Sequence, residues 1–112
     1  MITRSFKTEI PATNPHKVDV RQLYNPESAL VMHITLQPGE TLLPHKTPVD
    51  VIFYALEGTP TVHIGDESKK FERDTLIESP AKIKHYLSNE RDVPARILVI
   101  KVPRPKAQSQ LL

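Results

Sequence analysis

The stretch Leu30-Val31-Met32-His33-Ile34-Thr35-Leu36 decides the fold. In an extended chain Leu30, Met32, Ile34 and Leu36 share one face, and Val31, His33 and Thr35 share the other. That is the pattern of a strand with one side in a core. Two further runs, Val51-Ile52-Phe53-Tyr54-Ala55-Leu56 and Ile97-Leu98-Val99-Ile100, are apolar on both faces and predict strands covered on both sides. Working outward, short runs rich in Val, Ile, Thr, Phe and Tyr predict strands at 5–10, 18–24, 29–37, 50–57, 60–64, 69–72, 75–78, 83–88 and 95–102. Gly65-Asp66 suits a hairpin turn between two of them. Eleven Pro leave almost no window for a helix, and the clearest one, 66–79, lacks an apolar stripe. Many short strands without strand–helix alternation predict an all-β sandwich or barrel.

The chain has 112 residues, the size of one domain. With no Cys there is no disulfide framework, thiolate zinc site or thiol nucleophile. No apolar run is long enough for a membrane helix. The start, Met1-Ile2-Thr3-Arg4-Ser5-Phe6-Lys7, lacks the apolar centre of a signal peptide, so a cytoplasmic protein is expected. The 15 basic and 13 acidic residues are unevenly spread. Four basic residues (Arg96, Lys101, Arg104, Lys106) and no acidic ones lie in 93–112. The 15 basic residues less these 4 leave 11 against 13 acidic groups in the rest of the chain. The positive balance therefore belongs to the C-terminal segment. It has no aromatic or helical framing, so nucleic-acid binding is not expected. Residues 104–112 carry no strand or helix signal and are expected to form a flexible tail, with partner binding through its charges as one reading.

Two segments carry a resemblance. Gly39, His45 and Gly58, in Pro38-Gly39-Glu40-Thr41-Leu42-Leu43-Pro44-His45-Lys46-Thr47-Pro48-Val49-Asp50-Val51-Ile52-Phe53-Tyr54-Ala55-Leu56-Glu57-Gly58, stand at the spacing of the first motif of the cupin superfamily. Pro80, His85 and Asn89, in Asp74-Thr75-Leu76-Ile77-Glu78-Ser79-Pro80-Ala81-Lys82-Ile83-Lys84-His85-Tyr86-Leu87-Ser88-Asn89, match its second motif. The resemblance covers roughly residues 27–103. It implies a double-stranded β-helix, or jelly-roll barrel, open at one mouth. It also implies a divalent metal (Zn, Fe, Mn or Ni) held there by two or three His and a Glu.

The departures fall on that ligand set. Thr47 replaces the second His of the first motif, and Val51 occupies the position of the metal-binding Glu. Asp50 is one residue away and therefore on the opposite face of a strand. Asp74 and Lys82 replace the second motif's Gly residues. Only His45 and His85 remain as metal ligands, too few for the usual zinc or non-haem iron sites. His33 and His63 are the further His that a third ligand would have to come from. His16, between Pro15 and Lys17, reads as a surface residue. Glu78 near His85 reads either as an acid–base partner or as a solvent-facing residue.

By the two-residue period from His45 and Thr47, Val51 and Phe53 point inward, and Leu87 follows His85. The expected ligand pocket is thus His45, Thr47, Val51, Phe53, His85 and Leu87, an apolar interior favouring a neutral or apolar small molecule, or a filled core. The resulting organisation is N-terminal strands in 1–26 that pair two copies as a homodimer, a barrel in 27–103, and the tail. Two functions remain open: a small-molecule-binding or regulatory barrel without catalysis, and a metal-dependent oxygenase- or isomerase-type enzyme using His45 and His85 with a non-family third ligand.

Overall fold

A computed structural model describes all residues, 1–112. It contains ten strands and no helix: β1 (Asp19–Tyr24), β2 (Leu30–Leu36), β3 (His45–Lys46), β4 (Asp50–Glu57), β5 (Thr61–Ile64), β6 (Glu67–Lys70), β7 (Leu76–Ser79), β8 (His85–Ser88), β9 (Ala95–Val102) and β10 (Gln110–Leu111). They form two antiparallel five-stranded sheets, β1-β2-β9-β4-β7 and β10-β3-β8-β5-β6. This is the jelly-roll double-stranded β-helix. No helix is long and apolar enough to cross a membrane.

The period-two reading of β2 and β4 puts the right residues inside. Ile34, Leu36, Val51, Phe53, Ile97, Val99, Val62 and Leu87 are buried in one cluster between the sheets. In β9 the inward series is Ala95, Ile97, Val99 and then Lys101; the last pairs across the ladder with Val51 on one side and Leu30 on the other. An ammonium group is therefore carried inward by the same alternation that builds the core.

Glycine usage explains how the frame survives its substitutions. Gly58 has φ +74°, and a Cβ there would lie 2.5 Å from the carbonyl oxygen of Pro94. Asp74 and Lys82, where the motif has Gly, both keep φ of +66°. Their backbone amides are pinned to neighbouring segments, Asp74 donating to the Ala55 carbonyl (2.7 Å) and Lys82 to that of Thr47 (2.8 Å). The left-handed turn is retained by tertiary hydrogen bonds in spite of the side chain.

Three expectations change. Residues 5–10 are not a strand. Ser5 and Thr8 close a local turn, with the Thr8 and Glu9 amides donating to the Ser5 carbonyl (3.1 and 3.0 Å) and the Ser5 amide to Thr8 Oγ1 (3.0 Å). Short hydroxyl side chains compete in this way with a ladder. Arg21 then ties the turn down by donating to the carbonyls of Phe6 (2.6 Å) and Glu9 (2.8 Å). Second, the 83–88 strand begins only at His85, after a bend. Third, residues 104–112 fold back over the barrel mouth. There β10 pairs with β3 (Gln110 with Lys46, Leu111 with His45), and the Leu112 amide donates to the Pro44 carbonyl at 3.0 Å.

Candidate ligand-binding site

The mouth of the barrel is a cavity of about 660 Å³, the size of a small-molecule site. Its apolar floor includes Met32, Ile34, Leu42, Val51, Phe53 and Val99. Its polar wall is built by His16, His45, His85 and Lys101, and its rim by Arg104, Lys106, Gln108 and Ser109 of the folded-back segment. No Asp or Glu lines it.

His45 and His85 are opposed in register across β3 and β8, with ring centroids 4.7 Å apart in an edge-on arrangement. His85 is almost fully buried. Its Nδ1 is 2.6 Å from Ser79 Oγ and its Nε2 is 3.0 Å from Thr47 Oγ1. From Thr47 the chain continues to Ser109 Oγ (3.0 Å), to which Lys101 Nζ donates at 3.4 Å. A single line of hydrogen bonds thus joins Ser79, His85, Thr47, Ser109 and Lys101. Burial, then the neighbouring His45, then the Lys101 charge push the His85 pKa down to about 3, so the ring is neutral. A neutral ring carries one proton, so one His85 nitrogen donates and the other accepts, and both are engaged.

The other two rings are set by one backbone unit. His45 Nδ1 donates to the Leu43 carbonyl (2.7 Å), and the Leu43 amide donates to His16 Nδ1 (2.8 Å). A carbonyl only accepts, so the His45 proton sits on Nδ1 and its Nε2 keeps a lone pair. Burial lowers the His45 pKa, opposed by the Leu43 hydrogen bond and assisted by Lys101. His16 lies 5.2 Å from His45, centroid to centroid, and burial followed by the charges of His45 and Lys101 brings it to about 4. Lys101 is itself lowered by burial. It has no carboxylate partner: the ion pairs of the molecule are Arg21–Asp19 and Arg96–Glu57, both elsewhere.

The expected pocket residues separate into groups. His45, His85, Val51 and Phe53 line the cavity. Thr47 stands behind the wall as the link between His85 and Ser109. Leu87 is fully buried in the core and does not reach the cavity. His33 is on the other face of its sheet, neither in the pocket nor in solvent. Phe6 stacks on it at 4.6 Å and Arg96 lies 3.0 Å from its Nε2. His63 bridges Ser68 (2.7 Å) and Ser88 (2.8 Å) and stacks on Tyr86 at 4.0 Å. Glu78 is exposed; its neighbour Ser79 faces inward and meets His85. Asp50, also exposed, accepts from the Ala81 amide (2.9 Å).

Three residues were missed. His16 belongs to the wall, because a loop that reads as surface folds onto Leu43. Ser109 belongs to the rim. Lys101 is the plainest omission: it continues the Ala95, Ile97, Val99 alternation, a signal masked by reading Ile97–Ile100 as two-sided.

These residues do not fit the divalent metal that the motifs imply. No group of three or more His, Cys, Asp or Glu comes together to hold one. Both nitrogens of His85 are hydrogen-bonded. At the position of the motif's Glu stands Val51, whose cross-strand neighbour is Lys101. A negative ligand has in effect been replaced by an adjacent positive charge, which opposes a dication.

A family model for the cupin domain matches residues 32–101. The chain belongs to the cupin family. It is 33% identical over 72 residues to the tetracenomycin polyketide synthase protein TcmJ of Streptomyces glaucescens, a match spanning 63% of this chain and 48% of that protein. The chain thus spans about half the length of the curated relative it matches. It superposes on the TT1209 protein of Thermus thermophilus with a TM-score of 0.80 at 30% identity, covering 94% of this chain and all of the other. The polyketide cyclase RemF of Streptomyces resistomycificus shares the fold, with TM-score 0.81 at 16% identity over 100% of this chain and 86% of that one. So does an RmlC-like cupin from Methanocaldococcus jannaschii, with TM-score 0.77 at 22% identity over 95% of each chain. The cupin frame is kept here while its metal-ligand positions have changed.

Proposed function

We propose that this cupin binds an acidic small molecule with an apolar body in the barrel mouth, without a metal. The carrying observation is the charge of the lining: three cations, three His and no carboxylate around an apolar floor. A partly buried ammonium group without a counterion is costly, and a ligand anion supplies what the chain withholds. Lys101 meets the anion at depth, while Arg104 and Lys106 face it from the rim. The neutral His45, whose Nε2 keeps a lone pair, orients a polar substituent of the ligand. This reading differs from the neutral or apolar ligand, or filled core, expected from the sequence, because it takes in Lys101 and the folded-back segment.

The relatives favour the same chemistry. One is named as a polyketide synthase protein and one structural neighbour as a polyketide cyclase. Phenols, enols and carboxylates on a ring-bearing skeleton combine the acidic oxygen and apolar body that this cavity offers. Thermal shift with matched pairs of aromatic acids and their amides tests the reading. Acids are expected to raise Tm and amides to leave it unchanged. Equal shifts from both members of each pair would refute it.

A further inference from the structure

We propose that Lys101 is a nucleophile that condenses with a carbonyl group of the ligand, so that the site takes oxo acids as imines. The inference rests on the acid-binding reading and adds covalent chemistry to it.

The geometry is that of a held and desolvated amine. Lys101 extends from β9 into the cavity between Leu30 and Val51, its two cross-strand neighbours, and both are apolar. No carboxylate lines the cavity to hold the amine as a permanent ion pair. Its contact is the Ser109 hydroxyl at 3.4 Å, the end of the line running through Thr47 to His85. Amines in apolar surroundings near other basic groups are the ones that act as nucleophiles toward carbonyls. Burial lowers the Lys101 pKa in the same direction. Arg104 and Lys106 remain at the rim to hold the acid group while Nζ reacts.

The step balances without a redox partner. The Nζ lone pair attacks the carbonyl carbon, and the C=O π pair moves to oxygen, which takes up a proton to give a carbinolamine. Nζ loses its protons through the Ser109 hydroxyl, which Thr47 Oγ1 holds in place. A proton relayed by Ser109 to the carbinolamine hydroxyl lets the C–O bond break and water leave, while the nitrogen lone pair forms the C=N bond. The net change is amine plus carbonyl to imine plus water. Ser109 carries protons, Thr47 and His85 fix its position, and none of them forms a bond to the ligand.

The test uses the full chain with phenylpyruvate and cyanoborohydride, which reduces an imine to a stable secondary amine, followed by intact mass and peptide mapping. The same chain is titrated calorimetrically with phenylpyruvate and with 3-phenylpropanoate, which lacks the carbonyl. The expected result is one adduct per chain, on Lys101, with no adduct from Lys101→Arg. Adducts spread over the other lysines, or the same yield from Lys101→Arg, would overturn the proposal. Heat from both acids without an adduct would also overturn it and leave the acid-binding reading standing. No heat from either acid would refute the acid-binding reading and the nucleophile with it.

Discussion

Acidification reports directly on His85. In the unfolded chain this ring takes up a proton near pH 6.5; in the folded chain the uptake is pushed down to about 3 by burial and by the neighbouring His45 and Lys101. The folded-state value is the lower one, so the unfolded state binds the proton first. Stability from this ring is complete above about pH 6.5 and is lost as the pH falls from there toward 3. Between pH 7 and about 4.5 the loss from this group alone comes to about 2 to 3 kcal/mol. A domain of this size has only about 5–15 kcal/mol to lose. The assay is urea unfolding of the wild type and His85→Gln at a series of pH values, with the imidazole followed by NMR in parallel. The variant removes the titration, so the gap between the two proteins is expected to shrink by about 2 to 3 kcal/mol over this window. A gap that stays constant, or an imidazole that titrates near pH 6.5 in the folded protein, would refute the buried neutral ring.

Other perturbations test the frame and the rim. Gly58→Ala adds a Cβ 2.5 Å from the Pro94 carbonyl at φ +74°, and should cost about 2–4 kcal/mol of unfolding free energy. Lys82→Gly relieves a left-handed residue at φ +66° and should stabilise by about 0.5–1 kcal/mol after the extra freedom of Gly in the unfolded chain is counted. Asp74→Gly should gain less, because Asp tolerates this conformation better. Removing residues 104–112 takes away the rim cations and Ser109, and should weaken acid binding on the order of tenfold in a calorimetric titration.

The sequence carried the frame because its signals are local. Alternation in Leu30–Leu36, Gly39 and Gly58 at turn spacing, and His85 and Asn89 after Pro80 are all readable within a few residues. Asn89 holds its place by donating to the carbonyls of Leu36 (2.9 Å) and Val93 (2.8 Å). The site was legible only in part, because its charge comes from segments brought in by tertiary structure. His16 depends on a loop docking onto Leu43. The two-residue β10 is too short to leave a periodic trace, yet it brings Ser109 to Thr47. Lys101 was within reach, since its position relative to Val99 and Ile97 fixes its face. Counting it among tail charges concealed that it is the charge opposite Val51. Phe6 likewise looked like part of a strand, although its partners are His33 and Arg96 on the outer face.

The most direct measurement is a calorimetric titration of 3-phenylpropanoate, and of its amide, into chelator-treated wild type and Lys101→Met. The account predicts that the acid binds without metal and the amide at least tenfold more weakly. It predicts that Lys101→Met loses about 10- to 100-fold in affinity for the acid, as expected for a charged hydrogen-bond partner. Acid binding that appears only when a divalent metal is restored, or that is unchanged in Lys101→Met, would contradict it.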